Sequence, residues 1–159
     1  RPFARDFAGE IRLHKAVVDF IVSESASRSP VETGGILVGR TEPDGIHVTQ
    51  ALGPGPGAQH HPSRFRRDGQ YAQQKLDEIF TLTAGQEDYV GEWHSHPAQC
   101  GASSLDFNSM DWVSRNNAYS CTSPILIVSC PSRDDGWKLL AYTWVKRRME
   151  LCAIVTLAE

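Results

Sequence analysis

The order of helical and extended patterns along the 159-residue chain predicts an α/β or α+β fold built on one mixed central sheet flanked by helices. Three observations point there. Apolar residues recur at helical spacing in three separate stretches, residues 14–27, 68–83 and 104–116. Around them lie segments rich in β-branched and aromatic residues, bounded by Gly, Pro and Asp turn signals. One of these, residues 124–130, is almost continuously apolar, as a strand covered on both faces must be. A chain of this length can bury its own core, so one domain over residues 1–159 is expected.

Taken in order, residues 6–12 open with a short apolar alternation around Phe7, Ile11 and Leu13 that suits an edge strand. Val17, Val18, Ile21 and Val22 then share one face of the first helix, which Ser29-Pro30 ends. Residues 31–40 read as a strand with Gly34-Gly35 near its start. The Glu42-Pro43-Asp44-Gly45 turn folds it into a hairpin with residues 46–52. Gly53-Pro54-Gly55-Pro56-Gly57 breaks regular structure, and a short strand at residues 63–67 follows a loop carrying His60-His61. Adjacent histidines beside Pro62 suit a polar loop better than a second metal site. Asp68 is an N-cap and Gly85 a C-cap for the second helix, whose apolar face is Ala72, Leu76, Ile79 and Phe80. A strand at residues 88–94 precedes the third helix, which turns Met110 and Val113 toward the core with Phe107 alongside. Residues 124–130 and 136–145 pair across the Asp134-Asp135-Gly136 turn. Residues 150–157 form a last strand or a partner-facing segment.

Composition excludes several functions. The net charge is −3, and the one basic cluster, Arg64 to Arg67, is short, so no nucleic-acid partner is expected. No stretch approaches the roughly 20 apolar residues of a membrane span. The four cysteines, Cys100, Cys121, Cys130 and Cys152, form no CxxC pair, which favours free thiols and a cytoplasmic location.

The chemistry concentrates in Gly91-Glu92-Trp93-His94-Ser95-His96-Pro97 and Ser103-Ser104-Leu105-Asp106. Positions i and i+2 of a strand point the same way, so His94 and His96 can present two imidazoles to one point. Trp93 and Ser95 face the other way and read as structural. Asp106 comes ten residues after His96, enough for a loop to turn back and deliver a carboxylate. Two histidines and one carboxylate suit Zn²⁺, and three protein ligands leave a position open, as in catalytic rather than structural sites.

With Glu32-Thr33-Gly34-Gly35 upstream, these residues resemble the JAMM (MPN-plus) zinc metalloprotease motif: a Glu on an early strand, then His-x-His-Pro, then Ser-x-x-Asp. The resemblance spans residues 14–144 and is to the prokaryotic JAB-type, deubiquitinase-like members. It implies an MPN/JAB1-like fold, Zn²⁺ held by His94, His96 and Asp106, Glu32 as general acid–base, and Ser103 as hydrogen-bond donor to the developing oxyanion. Ser103 or Ser104 also suits the N-cap of the helix that follows. The family usually has seven residues between the second histidine and the serine; here residues 97–102 give six. Cys100 lies in that shortened loop, and a thiolate there could reach the open zinc position.

The implied activity is isopeptide or peptide hydrolysis after the C-terminal glycine of ubiquitin or a ubiquitin-like protein, in deconjugation or precursor processing. Implied partners are the ubiquitin-like substrate and activating- and conjugating-enzyme-like proteins, with a bacterial antiviral defence pathway as the implied setting. Two readings compete. One is a hydrolase that releases cysteine from a ubiquitin-like sulfur carrier. The other is a catalytically silent MPN scaffold, which would be expected to lack metal ligands that this chain keeps.

Overall fold

The computed structural model describes residues 9–158. Its chain order is β1 (Glu10–His14), α1 (Lys15–Arg28), β2 (Gly34–Glu42), β3 (Gly45–Ala51), β4 (Gln59–His61), β5 (Arg64–Arg66), α2 (Gly69–Leu82), β6 (Asp88–Ser95), α3 (Ser104–Arg115), β7 (Ile125–Pro131), β8 (Trp137–Val145), β9 (Arg148–Cys152) and β10 (Ile154–Leu157). Eight strands form one mixed sheet in the order β10-β1-β3-β2-β6-β7-β8-β9, and β4 pairs with β5 in a separate hairpin. The architecture is the α+β arrangement that the element order predicts.

Both faces of the central strands are covered. Leu37, Trp93, Ile125 and Ile127 pack with Val17 and Ile21 of α1. Ile36 and Val38 face the other way, with Ala72 and Ile79 of α2 and Val113 of α3. Leu126 and Val128 meet Met110 of α3 and Trp144. This two-sided burial explains why β7 is apolar without interruption. Trp93 is fully buried and donates its indole N–H to the Leu52 carbonyl at 2.9 Å. Asp68 caps α2 by accepting from the Tyr71 N–H at 3.1 Å, and Gly85 follows the helix at φ +78°, a conformation a side chain would resist.

Four expectations need correction. The strand expected at residues 6–12 is β1, and it is not an edge: β10 adds in parallel on its far side (residues 6–8 lie outside the described residues). The strand expected from residue 31 begins at Gly34, because residues 31–33 are tied to β4 and to Ser95 rather than to the ladder. The last strand divides at Ala153, its halves pairing with β8 and with β1. These two strands lie at opposite ends of the sheet order, so the sheet curls until its edges meet. Ala153, the link between the two halves, accepts the Ile11 N–H at 3.3 Å at the start of the β1–β10 pairing, and α1 lies inside the curve, touching β1, β3, β7, β8 and β10.

The fourth correction is chemical. Cys100 and Cys130 form a disulfide with their Cα atoms 5.3 Å apart, while Cys121 and Cys152 are not disulfide-bonded. The loop after His96 passes over the end of β7, which brings two cysteines 30 residues apart into register. Cys100 therefore offers no thiolate to a metal in this state, and the inference from free thiols to a reducing compartment loses its premise for this pair. No helix among the described residues is long and apolar enough to cross a membrane.

Candidate active site

The end of β6 carries both histidines. His96 lies one residue beyond the strand, yet its N–H still donates to the Ser129 carbonyl of β7 at 2.8 Å, so the backbone stays extended. Its Nδ1 is 2.8 Å from the Gly101 carbonyl. A carbonyl can only accept, so the proton sits on Nδ1 and Nε2 presents a lone pair. That Nε2 is 3.4 Å from Oδ2 of Asp106, and Nε2 of His94 is 3.9 Å from Oδ1 of the same carboxylate. Burial lowers the His94 pKa despite the opposing pull of Asp106 and Glu92, which favours the neutral ring.

Helix α3 delivers the carboxylate. Ser103 is its N-cap: Oγ accepts the Asp106 N–H at 3.2 Å, and Oδ2 of Asp106 accepts the Ser103 N–H at 2.9 Å. This reciprocal capping box satisfies two helix-end donors and fixes the carboxylate beside the imidazoles. Ser103 rather than Ser104 takes the cap, and accepting there leaves its hydroxyl proton free to donate elsewhere. The loop that is one residue short still brings Asp106 to both rings.

Glu32 stands on the segment just before β2. Its N–H donates to the His61 carbonyl at 2.8 Å, and its own carbonyl accepts from Nδ1 of His60 at 2.9 Å. On its other side Thr33 donates its N–H to Oγ of Ser95 at 2.9 Å and accepts the Ser95 N–H at 2.8 Å. Burial raises the Glu32 pKa; His96 opposes the rise and Asp106 adds to it, which places this carboxyl within the electrostatic reach of both.

A tetrahedral divalent ion sets both the donor chemistry and the donor spacing of its site. Two ligands each about 2.0–2.1 Å from a tetrahedral zinc are about 3.3 Å apart. The His96–Asp106 pair is close to that at 3.4 Å, and the His94–Asp106 pair is wider at 3.9 Å. Among the described residues, no group of three or more His, Cys, Asp or Glu stands in an arrangement that could hold a metal ion as it is. The donor types of His94, His96 and Asp106 suit zinc, while their spacing at the His94–Asp106 pair is wider than a bound ion would set.

Several contributing residues carry no signal in the sequence. His60 and His61 lie on β4, where neighbours face opposite sides, so they cannot converge on one ion. His60 instead holds the Glu32 backbone. Phe65 of β5 sets its ring edge-on to His94 with centroids 6.0 Å apart. Gly34 keeps that contact open: a Cβ there would lie 2.4 Å from the Trp93 carbonyl and 3.1 Å from Nδ1 of His94. Arg67 donates to Glu92 and Tyr119 at 3.0 Å each, tying the β4–β5 hairpin to β6 and to the segment after α3. Only the Gly-Pro run hinted that an irregular segment would be placed here. A cavity of about 520 Å³ lies off this site, between α2 and the far end of α3, lined by Leu76, Phe80, Trp112 and Tyr119 among others.

Residues 14–109 match the family described as prokaryotic homologs of the JAB domain. The chain is 25% identical over 138 residues to a probable metalloprotease, y4qB, of Sinorhizobium fredii, covering 85% of this chain and 82% of that one. It is 33% identical over 107 residues to the CD-NTase/cGAS isopeptidase of Vibrio cholerae, covering 67% of this chain and 65% of the relative. The solution structure of protein DSY2949 from Desulfitobacterium hafniense superposes with a TM-score of 0.69 at 19% identity over 94% of both chains, a likeness of fold alone.

Proposed function

The chain belongs to the family of prokaryotic homologs of the JAB domain, and from that premise we propose that it is a zinc-dependent isopeptidase acting after the C-terminal glycine of a ubiquitin-like protein. The observation that carries this reading is the convergence of His94 and His96 Nε2 on the two oxygens of Asp106, at 3.9 and 3.4 Å, with a partly buried Glu32 beside them. Zinc held by these three side chains would supply an activated water and polarise the carbonyl to be attacked.

The chain's own residues do the rest. Glu32 takes a proton on a carboxylate oxygen and returns it to the leaving amine nitrogen. Its raised pKa suits both halves of that transfer, since a group poised nearer neutrality accepts and releases more evenly. The Ser103 hydroxyl donates to the oxygen that gains charge in the transition state. The Gly101 carbonyl holds the His96 ring in the tautomer that leaves Nε2 free. Phe65 covers one edge of His94 and limits water there.

The substrate class rests on relatives whose names specify an isopeptidase, in Vibrio cholerae, Escherichia coli and Enterobacter hormaechei. Their names also specify CD-NTase/cGAS, which supports a conjugate of that kind; a bacterial defence pathway with activating- and conjugating-enzyme-like partners is the part of the reading that rests on the family resemblance.

The test uses fusions of candidate ubiquitin-like tails joined through their terminal glycine to a reporter amine. The zinc-loaded protein should cleave after the glycine. Glu32→Gln should retain zinc and lose about 100-fold or more in rate, whereas His94→Ala, His96→Ala and Asp106→Ala should lose zinc and cleavage together. Wild-type rates in Glu32→Gln would remove that residue from its role. Near-zero zinc in carefully purified wild-type protein would point to a silent scaffold.

A further inference from the structure

We propose that the Cys100–Cys130 disulfide is a redox-controlled strut that holds His96 in its ligating tautomer, so that reduction by a dithiol weakens metal binding at the site. The proposal rests on the isopeptidase reading for its consequence, but the strut itself is defined by geometry alone.

Residues 97–102 connect the second histidine to Ser103, whose capping box with Asp106 anchors the far end of the segment. Three ties fix this segment. Gly101 accepts from Nδ1 of His96 at 2.8 Å, Ala102 donates its N–H to the Tyr142 hydroxyl at 3.1 Å, and Cys100 is bonded to Cys130. Only the disulfide is covalent, and it sits immediately before the glycine whose carbonyl sets the His96 tautomer. Cys130 follows Ser129, the residue whose carbonyl receives the His96 N–H at 2.8 Å. The bond therefore joins the two backbone carbonyls that fix this histidine, one on its ring and one on its main chain. Gly101 is at φ +97°, and most of its neighbours in the loop are exposed, so little else restrains the segment.

The two sulfurs differ in access. Cys130 is fully buried at the end of β7, whereas Cys100 is exposed. A thiolate of the dithiol attacks the Cys100 sulfur and the S–S bond breaks. The Cys130 sulfur leaves with the electron pair and takes up a proton. The dithiol's second thiolate then attacks its own sulfur in the mixed disulfide, releasing Cys100 as a thiol. The dithiol is oxidised to its disulfide, and the protein's disulfide is reduced to two thiols. Residues 97–102 then keep two hydrogen bonds among the described residues, and the His96 ring can exchange tautomers or turn away. A partner that orients a ligating histidine is worth about 10- to 100-fold in metal affinity.

The experiment compares the full chain as oxidised protein, after dithiothreitol treatment and anaerobic desalting, and after reoxidation. Cys100→Ser provides a reductant-free counterpart, and retained circular dichroism confirms that each form is folded. Zinc affinity is read by chelator competition, and the ring ¹⁵N shifts of His96 are read without metal. The oxidised form should show two free thiols, a single Nδ1-protonated pattern for His96, and zinc bound at least about tenfold more tightly than in the reduced form or in Cys100→Ser. Reoxidation should restore both readings in the wild type only. Four free thiols in protein kept under air, or identical His96 shifts and zinc affinity in both redox states, overturns the proposal. If the His96 shifts change with redox state but no form cleaves a ubiquitin-like fusion, the strut stands and the isopeptidase reading falls.

Discussion

Glu32 has a carboxyl in surroundings that favour its neutral form. Burial raises its pKa and Asp106 raises it further, with only His96 acting the other way. Its folded-state value therefore exceeds the unfolded one of about 4.3. Below the unfolded value the group costs the fold nothing. As pH rises through the folded value, the native state must ionise a carboxyl it prefers protonated, and stability is lost. In the metal-free protein, Glu32→Gln should therefore melt at a higher temperature than wild type at neutral pH, and the advantage should shrink toward zero as pH falls below about 4. Melting curves across pH check this. An equal or lower melting temperature for Glu32→Gln at neutral pH would mean that the carboxylate is stabilised by more than the electrostatic pull of His96. This is the trade expected at a working site, where a charge poised for reaction is held at some expense to the fold.

At the scale of elements, helix α3 binds the cap to the chemistry, because Ser103 both starts the helix and stands beside the site. The two roles separate by substitution. Ser103→Ala should lose about 1 kcal/mol of stability from the cap and about 100-fold in cleavage from the missing hydroxyl. Ser103→Asn restores a capping side chain without the hydroxyl, so denaturant midpoints should recover while turnover stays low. Recovery of both would leave Ser103 a cap alone. Much at this scale was legible in the sequence. The helical period of Val17 and Ile21, the cap at Asp68, the Gly85 stop and the i,i+2 spacing of His94 and His96 are local signals, and local physics decides them. What stayed hidden depends on contacts between distant residues. Nothing near Cys100 indicates that Cys130 lies beneath it, and nothing near His60 indicates that its ring meets the Glu32 carbonyl 28 positions away. Even Phe80, which fits the apolar period of α2, is 46% exposed, because α2 rests on the sheet through Ala72 and Ile79.

Across the whole molecule, the sheet joins its own edges through Ala153, and the histidine strand β6 lies well inside the strand order, with β7, β8 and β9 between it and one side of the seam and β2, β3, β1 and β10 on the other. Strand β10 covers an edge that β1 would otherwise leave with unpaired backbone groups, a template for association with other chains. Its Ile154, Val155 and Leu157 are half-buried, so their burial contributes on the order of 2 kcal/mol, a discounted share of the 1.5–3 kcal/mol of a fully buried aliphatic side chain. A chain ending at Ala153 should lose about that much in urea unfolding and associate at high concentration through the exposed β1 edge. Because β10 pairs with β1 and rests on α1, elements that carry none of His94, His96 and Asp106, zinc affinity measured under folding conditions should stay within about twofold of wild type, as expected for distant, independent features. A large fall in affinity in a truncated protein that remains folded would show that the curl of the sheet sets the spacing of His94, His96 and Asp106, and that the site depends on closure rather than on β6 and α3 alone.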